Sequence, residues 1–201
     1  MTRSSILIPL VIAATVMING CASPEPRYYT LAARSSDTAR AAPGSAGRTS
    51  EPRWIEVRPV RVPERLNRAQ LVVSDGADGG VKLLDTSRWM SPLPDELRDA
   101  LSQQLQSRLD AVDIYQQGLP ATQAAVRVTA EVVILDAALG KQAAATIAWT
   151  VKRLPDGKVL SGRTETEMPA PGQVDGVVSA YRRILAATAA DITASVLALE
   201  R

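Results

Sequence analysis

The chain has 201 residues and a formal side-chain charge of +2, which excludes the basic surplus of a nucleic-acid-binding protein and suits one domain better than two. Histidine is absent, so imidazole bases, histidine-dependent triads and histidine metal ligands are excluded, and a lone cysteine excludes an intramolecular disulfide. Phenylalanine is absent too, so the core must use small and β-branched side chains around Trp54, Trp89, Trp149 and a few tyrosines.

Arg3 supplies a short positive start, and Ile6 to Ile18 is apolar apart from Thr15. At about 13 residues this run is too short to span about 30 Å of hydrocarbon, and it fits the apolar region of a signal peptide over 1–20. Ile18-Asn19-Gly20-Cys21 follows. It resembles the bacterial lipobox, with Ile18 and Gly20 at matching positions, Cys21 as the lipidated residue, and Asn19 in place of the usual small residue. The alternative is an ordinary secretory signal with an unrelated cysteine. Cleavage before Cys21 would leave about 180 residues, enough for one respectable core. A diacylglycerol thioether such as Cys21 would carry, joined by an N-acyl chain such as palmitate, holds a protein firmly where one chain holds it only marginally. Ala22 stands where an aspartate marks retention in the inner membrane of enterobacteria, so the expected location is the outer membrane, lipid-anchored and facing the periplasm.

Residues 21–27 form a short tether, because Pro24 and Pro26 oppose helix. The domain is expected over 28–201. Tyr28 to Leu31 reads as a first strand, with continued tether as the alternative reading. Residues 32–53 are Ala, Ser, Gly, Pro and Arg with almost no large apolar side chain, and are expected to be a flexible loop inside the domain. Trp54 to Val62 alternates as a strand, and Pro59 and Pro63 predict an edge or a bulge. Arg65 to Val73 leads into another strand, the acidic glycine turn 75–80 follows, and Val81 to Leu84 closes a hairpin.

Ser91-Pro92 predicts a helix start, with Ser91 as cap and Pro92 in the first helical position. Leu97, Ala100, Leu101, Leu105, Leu109 and Val112 make one apolar stripe. Asp95, Glu96 and Asp99 fall in its first turns and read as solvated charges that suit the helix dipole. Val126, Val128, Ala130, Val132 and Ile134 then share one strand face, and Ala145, Ile147, Trp149 and Val151 share the next. Leu154-Pro155-Asp156-Gly157-Lys158 is a turn signal. Val159 to Met168 reads as an edge strand protected by Arg163, Glu165 and Glu167. After Pro169-Ala170-Pro171-Gly172, the residues Val177, Tyr181, Ile184, Leu185, Ala189, Ile192, Val196 and Leu199 repeat at helical spacing. Thr188 is the polar member of that stripe, able to bond back to the Ile184 carbonyl. The expected fold is α+β, an antiparallel sheet with two amphipathic helices packed on one face.

No phosphate loop, nucleophile elbow or metal-ligand cluster is present in the sequence, so no catalytic residue and no cofactor is expected. The sequence resembles the ABC-type transport auxiliary lipoproteins, the group containing paraquat-inducible protein C. The pieces that carry this are Cys21 followed closely by Arg27-Tyr28-Tyr29-Thr30-Leu31, then Ile55-Glu56-Val57-Arg58-Pro59-Val60-Arg61-Val62-Pro63-Glu64-Arg65-Leu66-Asn67-Arg68-Ala69-Gln70-Leu71-Val72, then Trp89 with Pro92-Leu93. The resemblance implies an auxiliary component of an envelope lipid transport system built on an MCE-domain protein. It would dock that assembly at the outer membrane, support membrane integrity and form a homo-oligomeric ring. Arg68, Gln70 and Trp89 are the candidate partner contacts, with a hydrogen-bonded turn as the alternative for the 68–70 region. Two other roles stay open: a carrier holding a lipid ligand in a cavity lined by the two helices, and an assembly lipoprotein of another outer-membrane complex.

Overall fold

The computed structural model describes residues 24–32, 53–76, 79–117, 120 and 124–201. The signal peptide, Cys21 and almost all of the 32–53 stretch lie outside the described residues.

The chain order is β1 (Arg27–Tyr29), β2 (Arg53–Val57), β3 (Gln70–Ser74), β4 (Val81–Trp89), α1 (Leu93–Leu109), β5 (Ala111–Asp113), β6 (Val126–Ala138), β7 (Gln142–Arg153), β8 (Val159–Pro169) and α2 (Val174–Leu199). The α+β class is as expected. In place of one antiparallel sheet, however, there are two mixed ones: a small sheet in the order β1-β4-β3 and a large one in the order β5-β2-β6-β7-β8. β1 runs parallel to β4, and β2 runs parallel to both β5 and β6. Each of these pairs is separated by a long stretch of chain, which is what a parallel pairing requires. The hairpins β3–β4, β6–β7 and β7–β8 are antiparallel, as their short turns demand.

Several boundaries move for local reasons. β2 is an interior strand of the large sheet. Its regular ladder ends at Val57, but pairing with β6 resumes beyond Pro59: the N–H groups of Arg58 and Arg61 donate to the Val128 and Ala130 carbonyls at 2.9 and 3.1 Å, three residues against two, so of the predicted edge or bulge the structure has the bulge. β1 stops at Tyr29, two residues before the predicted end. β4 continues to Trp89 because its far half pairs with β1. α1 starts at Leu93 with Pro92 at the cap and no side-chain cap bond, while Ser91 uses its backbone N–H elsewhere. In β6 a register shift between Val132 and Ile134 turns Ile134 outward, 49% exposed, and brings Leu135 in. β8 is an edge strand as predicted, with Arg163, Glu165 and Glu167 exposed.

Both helices cover one face of the large sheet: α2 lies on β7 and β8, and α1 lies against β2, β5 and α2. Every predicted stripe residue of α2 is buried, and Thr188 donates to the Ile184 carbonyl at 3.1 Å. A single apolar cluster runs from Tyr29, Leu31, Leu71 and Trp89 of the small-sheet region through the helices to Ile147 and Val151 of the large sheet. Burying this cluster drives the fold, at roughly 1.5–3 kcal/mol for each fully buried large aliphatic side chain. Trp149 lies over Gly162 on the neighbouring strand, and its Nε1 donates to Thr164 Oγ1 at 3.1 Å. Thr164 in turn donates to Asp191 of α2 at 2.6 Å, tying the edge of the sheet to the helix.

Candidate anchor-positioning and docking site

The chain emerging from the tether is held by α1 and α2. Thr30 Oγ1 and the Leu31 N–H both donate to Glu96 Oε2, at 2.8 and 2.7 Å, and the Ser91 N–H donates to Oε1 at 3.1 Å. Arg182 of α2 donates to the Thr30 carbonyl at 2.7 Å. Glu96 is only 4% exposed, so the solvated role expected for it is wrong. It follows Leu93 by three residues and precedes Ala100 by four, which places it on the inward stripe beside Leu97. That spacing was the available signal. The first turn of a helix favours a carboxylate, and three donors satisfy it there. Asp95 is exposed, as expected.

A second buried carboxylate, Asp113 of β5, holds the middle of α1. Asp113 Oδ2 accepts from the Arg98 guanidinium and from Ser102 Oγ at 2.6 Å, and its Oδ1 accepts from the N–H groups of Val57 at 3.2 Å and Tyr115 at 3.1 Å. Arg98 also donates to the Val57 carbonyl at 3.2 Å and to Asp99 at 2.9 Å. The Tyr115 ring lies under both Arg98 and Arg58. Glu56, 2% exposed, accepts from Arg127 at 2.6 Å and Arg58 at 3.0 Å. These groups are mutually satisfied, which makes them part of the framework rather than free reagents. Among the described residues no group of acidic or cysteine side chains is placed to hold a metal ion.

Two of the three candidate contact residues come together. A groove of about 330 Å³ lies between Asn67-Arg68-Ala69 and Trp89-Met90-Ser91-Pro92. Arg68 is exposed, with its Nε donating to the Arg65 carbonyl at 3.2 Å. Trp89 is 5% exposed, a core residue that also lines the groove. Gln70 pairs with Arg88 in the ladder and is not part of the groove wall. Met90, 64% exposed, is the residue that sequence reasoning missed, because it follows a strand and carries no pattern of its own. The groove joins β1 directly, since the Met90 N–H donates to the Tyr29 carbonyl at 2.8 Å.

Two other spaces differ in kind. The outer face of the large sheet carries an open depression of about 540 Å³ lined by Arg58, Arg61, Thr129, Glu131, Thr150 and Ser161, among others. Between the sheets and helices, Leu66, Trp89, Leu135 and Tyr181 enclose a gap of only about 10 Å³. That is room for about one water and not for an acyl chain.

The model of the ABC-type transport auxiliary lipoprotein component family matches residues 29–193. The fold is similar to a crystal structure of an uncharacterized protein, with a TM-score of 0.67 at 19% identity, covering 86% of this chain and 99% of that one. It is also similar to a Xanthomonas campestris protein of the DUF330 family, with a TM-score of 0.51 at 17% identity, covering 75% of this chain and 86% of that one. No protein of curated function matches it by sequence.

Proposed function

The chain belongs to the family of ABC-type transport auxiliary lipoproteins, and from that premise we propose that it serves an MCE-based lipid transport system as a non-catalytic docking component. In this reading the signal peptide is removed and Cys21 carries the acyl chains. The domain sits on the periplasmic side of the outer membrane and positions the transport assembly there. The groove between Arg68 and Met90 contacts the MCE-domain partner.

The observation that carries the reading is the fixing of Thr30 and Leu31 by Glu96 and Arg182, a few residues after the proline-containing tether. A passive tether needs no such attachment. A domain that must stand at a set height above a membrane does. The gap that Leu66, Trp89, Leu135 and Tyr181 line is too small for an acyl chain, which favours positioning over carriage of a lipid at that place.

Fractionation and co-purification test it. The wild-type chain is expected in the outer membrane, bringing an MCE-domain protein with it, whereas Cys21→Ser is released as a soluble periplasmic protein. Arg68→Glu with Met90→Asp is expected to stay anchored and lose the partner. Stoichiometric lipid in the isolated soluble chain, with no MCE protein recovered from the anchored one, would refute the docking role.

A further inference from the structure

β8 is the outermost strand of the large sheet, and no described strand lies beyond it. Its hydrogen-bonding phase is fixed at both ends. The Lys158 carbonyl accepts from the Arg153 N–H at 2.8 Å, and the Ala170 N–H donates to the Lys141 carbonyl at 2.9 Å. No register shift interrupts the β7–β8 pairing between them. Even-numbered residues therefore turn their N–H and C=O groups towards β7, and odd-numbered residues turn theirs away from the sheet. The outward groups belong to Val159, Ser161, Arg163, Glu165, Glu167 and Pro169, of which only Pro169 lacks a donor. A long edge without a bulge is the kind that accepts another strand.

The side chains on this edge select what can pair with it. Thr164 bonds Asp191 of α2, so the odd-numbered side chains lie on the face away from the helices. Arg163, Glu165 and Glu167 are exposed there, and none of them forms a hydrogen bond or ion pair among the described residues. In an antiparallel copy related by a two-fold axis at Thr164, Arg163 stands opposite the partner's Glu165, and Glu165 opposite the partner's Arg163. Glu167 then meets a serine, Ser161. An axis at Arg163 or at Glu165 sets a like pair on the axis itself, and one at Thr166 opposes Glu165 to Glu167. The charges therefore exclude these neighbouring registers and favour one.

We propose that β8 is a homotypic docking edge, on which a second copy of this chain adds its own β8 antiparallel across a two-fold axis at Thr164. Length also points to a second β8, since the other edge strands β1, β3 and β5 span three, five and three residues against eleven in β8. The pairing sets Leu160 against Met168 and Val159 against Pro169, which covers two exposed apolar side chains, Val159 and Leu160. The helix layer fits as well. α2 lies on β7 and β8, so its copy sits two strand spacings away, about 9–10 Å, within the range at which helices pack. Ala187, Ala194 and Ala198, one and two turns from Asp191, leave room on that side. Asp191 itself bonds Thr164, so it approaches its copy at the axis and opposes the pairing, which keeps it reversible. The contact is isologous and closes at two copies, unlike the head-to-tail contacts of a ring.

Sedimentation equilibrium of the purified full chain reads the pairing, in a density-matched non-ionic detergent with reductant to keep Cys21 from linking copies. The wild-type chain is expected to dimerise reversibly. Arg163→Glu and Glu165→Arg, each alone, set like charges opposite each other on both sides of the axis, and each is expected to raise the dimer dissociation constant about tenfold or more. An equimolar mixture of the two variants restores opposite charges in both pairs. It is expected to recover a dimer with one chain of each kind, which misfolded variants could not do. Asp191→Asn keeps an acceptor for Thr164 and is expected to tighten the dimer several-fold. A wild-type chain that stays monomeric at the highest concentration reached overturns the proposal. An assembly whose mass neither swap changes also overturns it and assigns the association to another surface. A mixture as dissociated as its two components rejects the register, and the proposal with it.

Discussion

Glu96 and Asp113 are both buried carboxylates at α1, yet they hold different things by different means. Asp113 faces a buried guanidinium, and together they join α1 to β2 and β5 of the large sheet. Glu96 receives two backbone N–H groups and a hydroxyl, and it holds the β1 exit and the β4–α1 turn. Breaking a buried ion pair strands a charge, whereas removing a carboxylate that has neutral donors leaves only unpaired N–H groups. The first contact therefore bears on the stability of the whole domain. The second is a local fastening of the segment that follows β1, and it can fail while the rest of the domain stands.

Five substitutions sharpen or break this comparison, two of them read in a pH series. Arg98→Met leaves Asp113 buried without its cation and is expected to cost about 3–5 kcal/mol in urea unfolding, the largest effect of the set. Glu96→Ala should cost about 1–3 kcal/mol, with faster hydrogen exchange at Leu31 and Ser91 and unchanged protection in β6 and β7. If the β6 and β7 amides open equally in that variant, the fastening is not local. Gly162→Ala is the counterpart in the large sheet. A Cβ there would sit 2.3 Å from Trp149 Cζ2, so a loss of about 1–3 kcal/mol and a changed near-ultraviolet signal of Trp149 are expected, with exchange at Leu31 unaffected.

The pH series concerns Tyr181, whose phenol is pushed well above its ordinary value by burial first and by the Asp136 charge second. Its contribution to stability is intact below the unfolded value of about 10 and is lost as pH rises beyond it, because the unfolded chain then ionises first. Tyr181→Phe should flatten that alkaline loss. Asp156→Asn should change least. The exposed Asp156 carboxyl is held far below the usual range by its hydrogen bond to Arg153, so its small contribution is present at neutral pH and is lost as acid protonates the carboxylate. The unfolding midpoints of wild type and this variant should converge on acidification.

Much of the fold was legible where the signal is periodic. The α2 stripe, the alternation of β7 and the turns at 140–141 and 154–158 all follow from spacing and turn chemistry. β5 was missed because three residues, Ala111–Asp113, are too few to show a period. The bulge in β6 was missed because Val132, Val133 and Ile134 are all apolar, and nothing in such a run marks which one turns outward. Of the groove residues, Arg68 was named from its polar place between two apolar runs and Trp89 from a piece that carries the family resemblance. Met90 was not found, nor was the role of Glu96, which charge alone suggested should be exposed.

The sequence by itself determined the family, the apolar faces and the local turns, because each depends on residues close together in the chain. Only the tertiary structure decided that β1 lies parallel to β4, that β2 lies inside the large sheet, and that Glu96 turns inward onto Leu31. Those outcomes depend on which distant strand finds which free edge, and on donors some 65 residues away. A local pattern holds no record of either.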